Sequence, residues 1–212
     1  MKKLFIFTIA LGLFATNEMK AQEYFEFGFK GGVNLSNLTG DNTDDLDPRT
    51  TMNIGVFGIY KVTDKIGVQA EILYSEQGTE RESVFFDGFS EIEEDYVLKT
   101  QYINLPLMAS YNVIENLWVE AGPQIGYLVK AEVDLETTTE DNLGSVESST
   151  ETQDVTDSYE SIDMALNVGL RYKLARNFLV QARYSKGITD ITEAIEGNQN
   201  NQIYSFSVGY VF

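Results

Sequence analysis

Apolar and polar positions alternate along much of the chain, and this alternation predicts eight β-strands. The pattern is clearest in the C-terminal segment, where one parity carries Tyr204, Phe206, Val208, Tyr210 and Phe212 and the other carries small or polar residues. Each predicted strand has one apolar face that must be covered by protein or by lipid. The other seven segments are YFEFGFKGGV, TMNIGVFGIYKV, IGVQAEILYSEQ, QYINLPLMASYNV, LWVEAGPQIGYLVKA, SIDMALNVGLRYKL and FLVQARYSKG.

The connections between these strands alternate between short and long. Short turns at one end and long loops at the other are typical of bacterial outer-membrane barrels, whose strands have ~9–11 residues. We therefore predict an all-β fold: an eight-stranded antiparallel up-and-down transmembrane β-barrel with short periplasmic turns and long extracellular loops. The tight turns fall at 63–65, 114–116 and 175–177, and the long links at roughly 35–50, 78–98, 132–158 and 188–200.

The negative charge of the chain is concentrated in the long links. The formal net charge of the whole chain is -18, and the four links carry -3, -6, -9 and -3 in chain order. The strands and tight turns are therefore almost neutral, as expected for a body that lipid surrounds. Because the acidic loops repel a polyanion, we exclude nucleic acid as a partner.

Aromatic residues of the apolar parity lie at two levels. The two levels are separated by about 6–10 residues, or roughly 15–25 Å along a tilted strand. This spacing fits two aromatic girdles that bound an apolar band, so we expect the apolar parity to face lipid. The girdle near the short turns contains Tyr60, Tyr111, Tyr172 and Phe178, and the girdle toward the long loops contains Tyr74, Tyr127, Tyr184 and Tyr204.

The first residues predict export from the cytoplasm. Lys2 and Lys3 precede an apolar stretch from Leu4 to Ala15, and a polar run follows. This is the layout of a secretory signal peptide, and the apolar stretch is shorter than the ~20 residues of a membrane-spanning helix. We expect residues 1–21 to be the signal peptide and 22–212 the outer-membrane β-barrel domain; an uncleaved anchoring helix is the alternative.

If the apolar parity faces lipid, the polar parity fills the barrel. An eight-stranded barrel is only wide enough for its own side chains, so these residues should form a packed polar network. The heights of the residues above the short turns favour the lumen pairs Glu120–Arg171 and Glu71–Arg183. A gated ion path or a proton relay is the alternative interpretation. The lumen-facing set includes Glu26, Lys30, Lys61, Gln69, Glu71, Glu120, Arg171, Gln181 and Arg183.

Composition argues against catalysis and bound cofactors. The chain has no His and no Cys, which removes the usual general base at neutral pH, the commonest metal ligand and all thiol chemistry. The stretch DNTDDLDP at 41–48 alternates oxygen ligands but lacks the central Gly and terminal Glu of a calcium loop. We predict no catalytic, cofactor-binding or metal-binding residues and no enzyme activity. Diffuse binding of divalent cations by the acidic loops stays open.

Several stretches resemble the PorT-like outer-membrane β-barrel family, namely YINLPLMASY, VEAGPQIGYL, NVGLRYKL and the closing SFSVGYVF. The resemblance covers essentially the whole chain after the signal peptide and implies a location in the bacterial outer membrane. It also implies that the C-terminal residues Tyr204, Phe206, Val208, Tyr210 and Phe212 act as an assembly signal. The implied partners are outer-membrane lipid, the barrel assembly machinery during biogenesis and other envelope proteins.

These observations together predict an integral outer-membrane barrel with a side-chain-filled lumen and acidic surface loops, in a structural or surface-interaction role. Three alternatives remain at this point: an accessory component of a protein secretion or assembly apparatus, a narrow channel, and a soluble lipocalin-like carrier. The direction of the apolar side chains separates the carrier from the others, because a carrier buries them inside its barrel.

Overall fold

The computed structural model describes residues 24–86, 90–141, 146–192 and 197–212. The predicted signal peptide lies outside the described residues. No helix within the described ranges is long and apolar enough to cross a membrane. The strands are β1 (Phe25–Gly40), β2 (Asp47–Lys61), β3 (Ile66–Phe86), β4 (Ser90–Ile114), β5 (Leu117–Asp141), β6 (Val146–Asp154), β7 (Ile162–Lys173), β8 (Phe178–Gly187) and β9 (Gln199–Val211), and a short 3-10 turn spans Thr156–Ser158.

Eight of these strands close into an antiparallel ring. Neighbours in sequence pair with each other except that β5 pairs with β7, and the ring closes where β1 pairs with β9, for example at Val33 and Phe206. Strand β6 stands outside the ring and pairs with β5 alone among the described strands. The predicted eight-stranded antiparallel barrel is therefore confirmed.

The two ends of the barrel differ. At the end where β1 begins and β9 ends, which we call the turn end, the strands are joined by short turns. Asn116 closes one of them with a φ of 67°, a left-handed conformation that Asn tolerates. At the opposite end, which we call the loop end, β3, β4 and β5 have 21, 25 and 25 residues, whereas β8 has 10. Three strands therefore continue well past the barrel.

This continuation corrects the predicted boundaries of two long links. Segments 78–98 and 132–158 are largely strand rather than loop, because β3 pairs with β4 as far as Phe86 and β5 pairs with β6 over Glu132–Glu140. Many of their residues are β-branched or aromatic, which favours strand conformation even though acids interrupt the apolar alternation. We call the resulting four-stranded extension, residues 80–86, 90–97, 132–141 and 146–154, the protruding sheet.

The wall of the barrel is apolar on its outside and polar on its inside. Ile54, Leu166 and Phe206 each expose more than half of their surface, whereas Gln69 and Asn167 on the opposite parity expose 1%. The aromatic residues predicted to form girdles lie on this outer wall and are exposed or half-exposed. A lipocalin-like carrier would show the reverse arrangement, so that alternative is wrong.

Candidate functional site

Charged side chains meet in the middle of the lumen, where β1, β3 and β8 bring three of them together. The Glu71 carboxylate accepts hydrogen bonds from Arg183 Nη1 at 2.9 Å and Nη2 at 2.6 Å, and it lies 2.7 Å from Lys30 Nζ. The side chains of all three residues are buried. The two-pronged contact between carboxylate and guanidinium is the strong form of an ion pair and fixes the orientation of both groups.

Glu120 on β5 connects two arginines. Its Oε1 lies 3.2 Å from Arg171 Nε, and its Oε2 lies 3.6 Å from Arg183 Nη2. Glu120 Oε1 has no hydrogen-bond partner among the described residues. Its contact with Arg171 is therefore an ion pair by distance and not an aligned hydrogen bond. Both pairs favoured by the sequence, Glu120–Arg171 and Glu71–Arg183, are thus in contact.

Two amide side chains join these pairs into one network. Gln181 donates to Glu120 Oε2 at 2.6 Å and accepts from Lys30 Nζ at 2.6 Å. Gln69 donates to Glu71 and accepts from Arg171. The sequence placed both glutamines and Lys30 in the lumen by parity but gave no sign that they link the charges. We call the connected set the lumen network; its members are Lys30, Gln69, Glu71, Glu120, Arg171, Gln181 and Arg183.

At the turn end, the lumen is narrowed by apolar packing and a looser charge group. Phe57 packs with Ile59, Leu179 and Val211, and a Cβ on Gly28 would lie 2.7 Å from the Phe57 ring. The sequence placed Glu26 and Lys61 in the lumen. Both stand here, at its partly exposed mouth, where Glu26 lies 2.8 Å from Lys61 Nζ and 3.2 Å from Lys173 Nζ. Trp118 stacks on Arg171 at 5.2 Å and joins this end to the lumen network.

At the loop end, an apolar core closes the lumen. Val155 and Tyr159, which follow β6, pack against buried residues from β1, β4, β5 and the β8–β9 link. The alternating pattern did not predict this core. Several of its members are apolar residues on the otherwise polar parity, and this signal could have indicated it. We call it the lumen cap; its buried members are Leu38, Leu98, Tyr102, Leu128, Ala131, Val133 and Ile191.

Asp190 holds the link that carries the Ile191 side chain into the lumen cap. Its Oδ1 accepts hydrogen bonds from the backbone N–H groups of Thr192 at 3.2 Å and Gln199 at 3.1 Å. The hydrogen bond from Gln199 is the main reason that the pKa of Asp190 lies below its ordinary value. The ionised carboxylate therefore ties the link to the start of β9.

One face of the protruding sheet carries a close cluster of acids. Carboxylate oxygens of Glu82, Glu93 and Asp95 lie within 4.8 Å of one another, and exposed Glu136 follows in register across β5. Nearer the barrel, Lys99 pairs with Asp134, and Lys130 Nζ lies 2.6 Å from Glu132. Exposed acidic groups of this kind are common without a bound ion, so they indicate an acidic surface. Among the described residues of β3 to β6 on this face, the positive charges lie only at its base, on Lys99 and Lys130.

The predicted assembly-signal residues lie on the closing strand. Tyr204, Phe206, Val208 and Phe212 are exposed on the outer wall. Tyr210 is half-buried; its ring stacks on Phe29 at 5.8 Å and meets Phe178 edge to face at 5.2 Å. The ring of Phe212 stacks on Phe27 of β1 at 5.1 Å. Aromatic contacts therefore cover the seam where the first and last strands join.

Residues 14–193 match the family model of the outer membrane protein beta-barrel domain. No curated protein matches the chain. Neisserial surface protein A is similar in structure, with a TM-score of 0.48 and 12% identity over 88% of this chain and 97% of that one.

Two further solved structures are similar. Ail from Yersinia pestis, solved in complex with the heparin analogue sucrose octasulfate, has a TM-score of 0.43 and 16% identity over 89% of this chain and 99% of that one. OprG from Pseudomonas aeruginosa has a TM-score of 0.36 and 17% identity, with 89% and 94% covered. The family-model match itself runs from before β1 to beyond β8.

Proposed function

Because the chain belongs to the outer membrane protein beta-barrel domain family, and is thus an integral protein of the bacterial outer membrane, we propose that it works as a surface-interaction protein. The barrel is its anchor in outer-membrane lipid, and the protruding sheet is its working surface. Short turns face the periplasm in such barrels and longer connections face outward, so the loop end lies outside the cell.

The observation that carries this proposal is the reach and charge of the protruding sheet. Phe86 lies twelve residues beyond Tyr74 of the outer girdle, which is roughly 40 Å along the strand. The acids lie part of the way along this extension: Glu82, which pairs with Asp95, is eight residues beyond Tyr74, or roughly 26 Å along the strand. Glu93 and Glu136 are its neighbours on the same face. An acidic surface of this kind favours a positively charged partner and raises its rate of encounter.

The lumen supports an anchor better than the channel alternative. The lumen network fills the middle of the barrel with buried, mutually bonded side chains, and the lumen cap closes its outer end. The accessory alternative needs a periplasmic contact surface. The connections at that end are short turns between β2 and β3, β4 and β5, and β7 and β8, and they offer little area to a partner.

Three narrower proposals accompany this function. The stretches YINLPLMASY and SFSVGYVF support membership of the PorT-like group within the wider family. The exposed aromatic strand from Tyr204 to Phe212 supports a role as the signal read by the barrel assembly machinery. The absence of His and Cys from the sequence supports a protein without enzyme activity.

Binding of a cationic peptide to the protein in nanodiscs tests the surface-interaction proposal. We expect a lysine-rich peptide to bind with an affinity that falls as salt rises, and a glutamate-rich peptide not to bind. The variant Glu82→Gln/Glu93→Gln/Asp95→Asn removes three charges from the acidic face. It should weaken binding about tenfold, if each surface contact is worth roughly 0.5 kcal/mol.

The matched control is Asp44→Asn/Asp45→Asn/Asp47→Asn, which removes three charges from the link between β1 and β2 and its flank. We expect this control to bind within about twofold of the unmodified protein. Equal losses in both triple variants would show a general charge effect, and the proposal that the sheet is the working surface would be wrong. Both variants should keep the slower gel migration on boiling that identifies a folded barrel.

A further inference from the structure

The lumen network carries one more positive charge than negative. Lys30, Arg171 and Arg183 are cationic, whereas only Glu71 and Glu120 are anionic, and all five are buried. A charge this deep in a barrel is costly unless a counter-charge lies close to it. The surplus therefore requires an explanation within the lumen.

The other acids of the described lumen do not supply the missing charge. Asp163 is buried, but it lies six residues along β7 from Gly169, the residue that pairs with both Glu120 and Arg183. Six residues of strand span roughly 20 Å, far beyond the distance of an ion pair. Asp163 bonds instead to Thr189 and Asn201. Glu26 is already shared between two lysines at the turn end.

One hydrogen-bond donor of the lumen network, on Arg183, also has no partner among the described residues. Arg183 directs both terminal nitrogens to Glu71, but its Nε–H has no hydrogen-bond partner among the described residues. The Arg183 side chain is only 4% exposed. Buried donors are nearly always bonded, so an unpaired guanidinium N–H at this depth points to a partner that is not part of the protein.

A small cavity lies beside these two cations. Its volume is about 20 Å³, enough for one water molecule or one small ion. Lys30 and Arg183 both line it, and the remaining described lining residues are amides, hydroxyls and two aliphatic side chains, with no carboxylate. The polar uncharged lining residues are Asn34, Asn53, Ser75, Asn104, Gln124, Ser185, Ser205 and Ser207.

We propose that this cavity binds one small monovalent anion of the halide class, with chloride the expected occupant. The anion accepts a hydrogen bond from Arg183 Nε–H and neutralises the surplus charge of Lys30 and the arginines. Polyatomic anions are excluded by the cavity volume. The site lies between the lumen network and the lumen cap. Bound chloride therefore helps to keep the lumen closed.

Crystals soaked in sodium bromide test the site directly. We expect an anomalous peak inside the barrel, within hydrogen-bonding distance of Arg183 Nε. A cavity that instead shows water-sized density without anomalous signal, with bromide only on the protein surface, would overturn the proposal. The same result would follow if Lys30 loses its proton in the folded barrel and so removes the surplus charge.

Stability in solution gives a second test that does not need crystals. The thermal midpoint of the detergent-solubilised barrel, followed by heat-modifiable gel migration, is measured in sodium chloride and in sodium gluconate at one ionic strength. Gluconate is too large for the cavity. We expect the midpoint to be lowest in gluconate alone and to rise as chloride replaces gluconate, with the logarithm of the chloride concentration once this exceeds the dissociation constant. Equal midpoints in both salts would contradict anion binding.

A pair of variants assigns the effect to the lumen. Lys30→Met removes the surplus charge and should abolish both the bromide peak and the chloride dependence. Lys61→Met removes the same charge from the partly exposed mouth at the turn end and should keep both. If Lys30→Met fails to fold, the bromide map and the chloride dependence of the unmodified protein decide the question. Equal loss in both variants would show that the site is not the cavity beside Lys30.

Discussion

Removing the charge of Glu71 should destabilise the barrel more than any other single charge change in the lumen. In Glu71→Gln, the guanidinium of Arg183 loses its two-pronged contact at 2.6 and 2.9 Å, and Lys30 loses its carboxylate at 2.7 Å. The nearest remaining carboxylate oxygen to Arg183 is that of Glu120, at 3.6 Å. Two buried cations are then left with one distant counter-charge between them.

The expected cost follows from the burial of all three side chains. Breaking a buried ion pair by removing one partner typically costs about 3–5 kcal/mol of unfolding free energy, because the other charge stays desolvated. A matched change at the turn end, Glu26→Gln, also removes one carboxylate shared by two cations. The side chains there are 19–40% exposed, so solvent screens them and the cost should be about 1 kcal/mol or less.

Urea unfolding of the detergent-refolded barrel measures both variants. Trp118 is the single Trp of the chain and stacks on Arg171, so its fluorescence reports on the region that both changes touch. The double variant Glu71→Gln/Arg183→Met should cost less than the sum of its two single changes, because it removes both partners of the closest ion pair. If Glu71→Gln and Glu26→Gln cost the same, the lumen network is not held together by buried charge and the reasoning is refuted.

Three further changes test the other parts of the barrel. Gly28→Val should prevent or slow refolding into the heat-modifiable form, because a Cβ there would lie 2.7 Å from the Phe57 ring and 2.1 Å from the Tyr210 carbonyl oxygen; normal refolding yield would contradict this. Ile191→Ala should cost about 2–5 kcal/mol in urea unfolding, since Ile191 is completely buried in the lumen cap, and a cost under 1 kcal/mol would show that the cap packs loosely. Folding lowers the pKa of Asp190, so its carboxylate stabilises the fold at pH values above its ordinary pKa of 3.8. This stabilisation is lost as the pH falls through the lowered pKa of the folded protein. The amide-exchange protection factor of Gln199 should fall in that range, whereas in Asp190→Asn it should be low already at neutral pH.

The barrel itself was predictable because lipid imposes a simple rule on every strand. Each backbone group must be paired, so the sheet has to close, and each strand must show one apolar face to hydrocarbon. Counting residues from the short turns then placed Glu71 near Arg183 and Glu120 near Arg171. Counting of this kind works across a barrel because the register of each strand pair is fixed by the turn that joins it.

The requirement for an apolar face holds only where a strand touches lipid. The two features that the sequence did not predict, the protruding sheet and the lumen cap, do not touch lipid. Beyond the lumen cap, the protruding sheet is exposed to water on both faces, so its strands show no apolar parity. Their acidic residues therefore favoured the prediction of loops. The lumen cap joins Tyr102 and Leu98 of β4 to Tyr159 and Ile191, which lie on connections without any periodic pattern. A contact between a strand and a distant connection leaves no periodic signal in the sequence.

The lumen network also determines which side of β1, β3, β5, β7 and β8 faces lipid. A shift of one residue in the pairing of β3, β5 or β8 would turn Glu71, Glu120 or Arg183 onto the outer wall. A charge at the middle of the membrane costs about 2–4 kcal/mol for a basic side chain and somewhat less for an acid, and the same shift would leave its former partner buried and unpaired. The two penalties act together whenever one of these strands is misaligned. A barrel filled with linked charges therefore specifies its register more strictly than one filled with neutral side chains, which suits an anchor that must hold a long sheet in one orientation outside the cell.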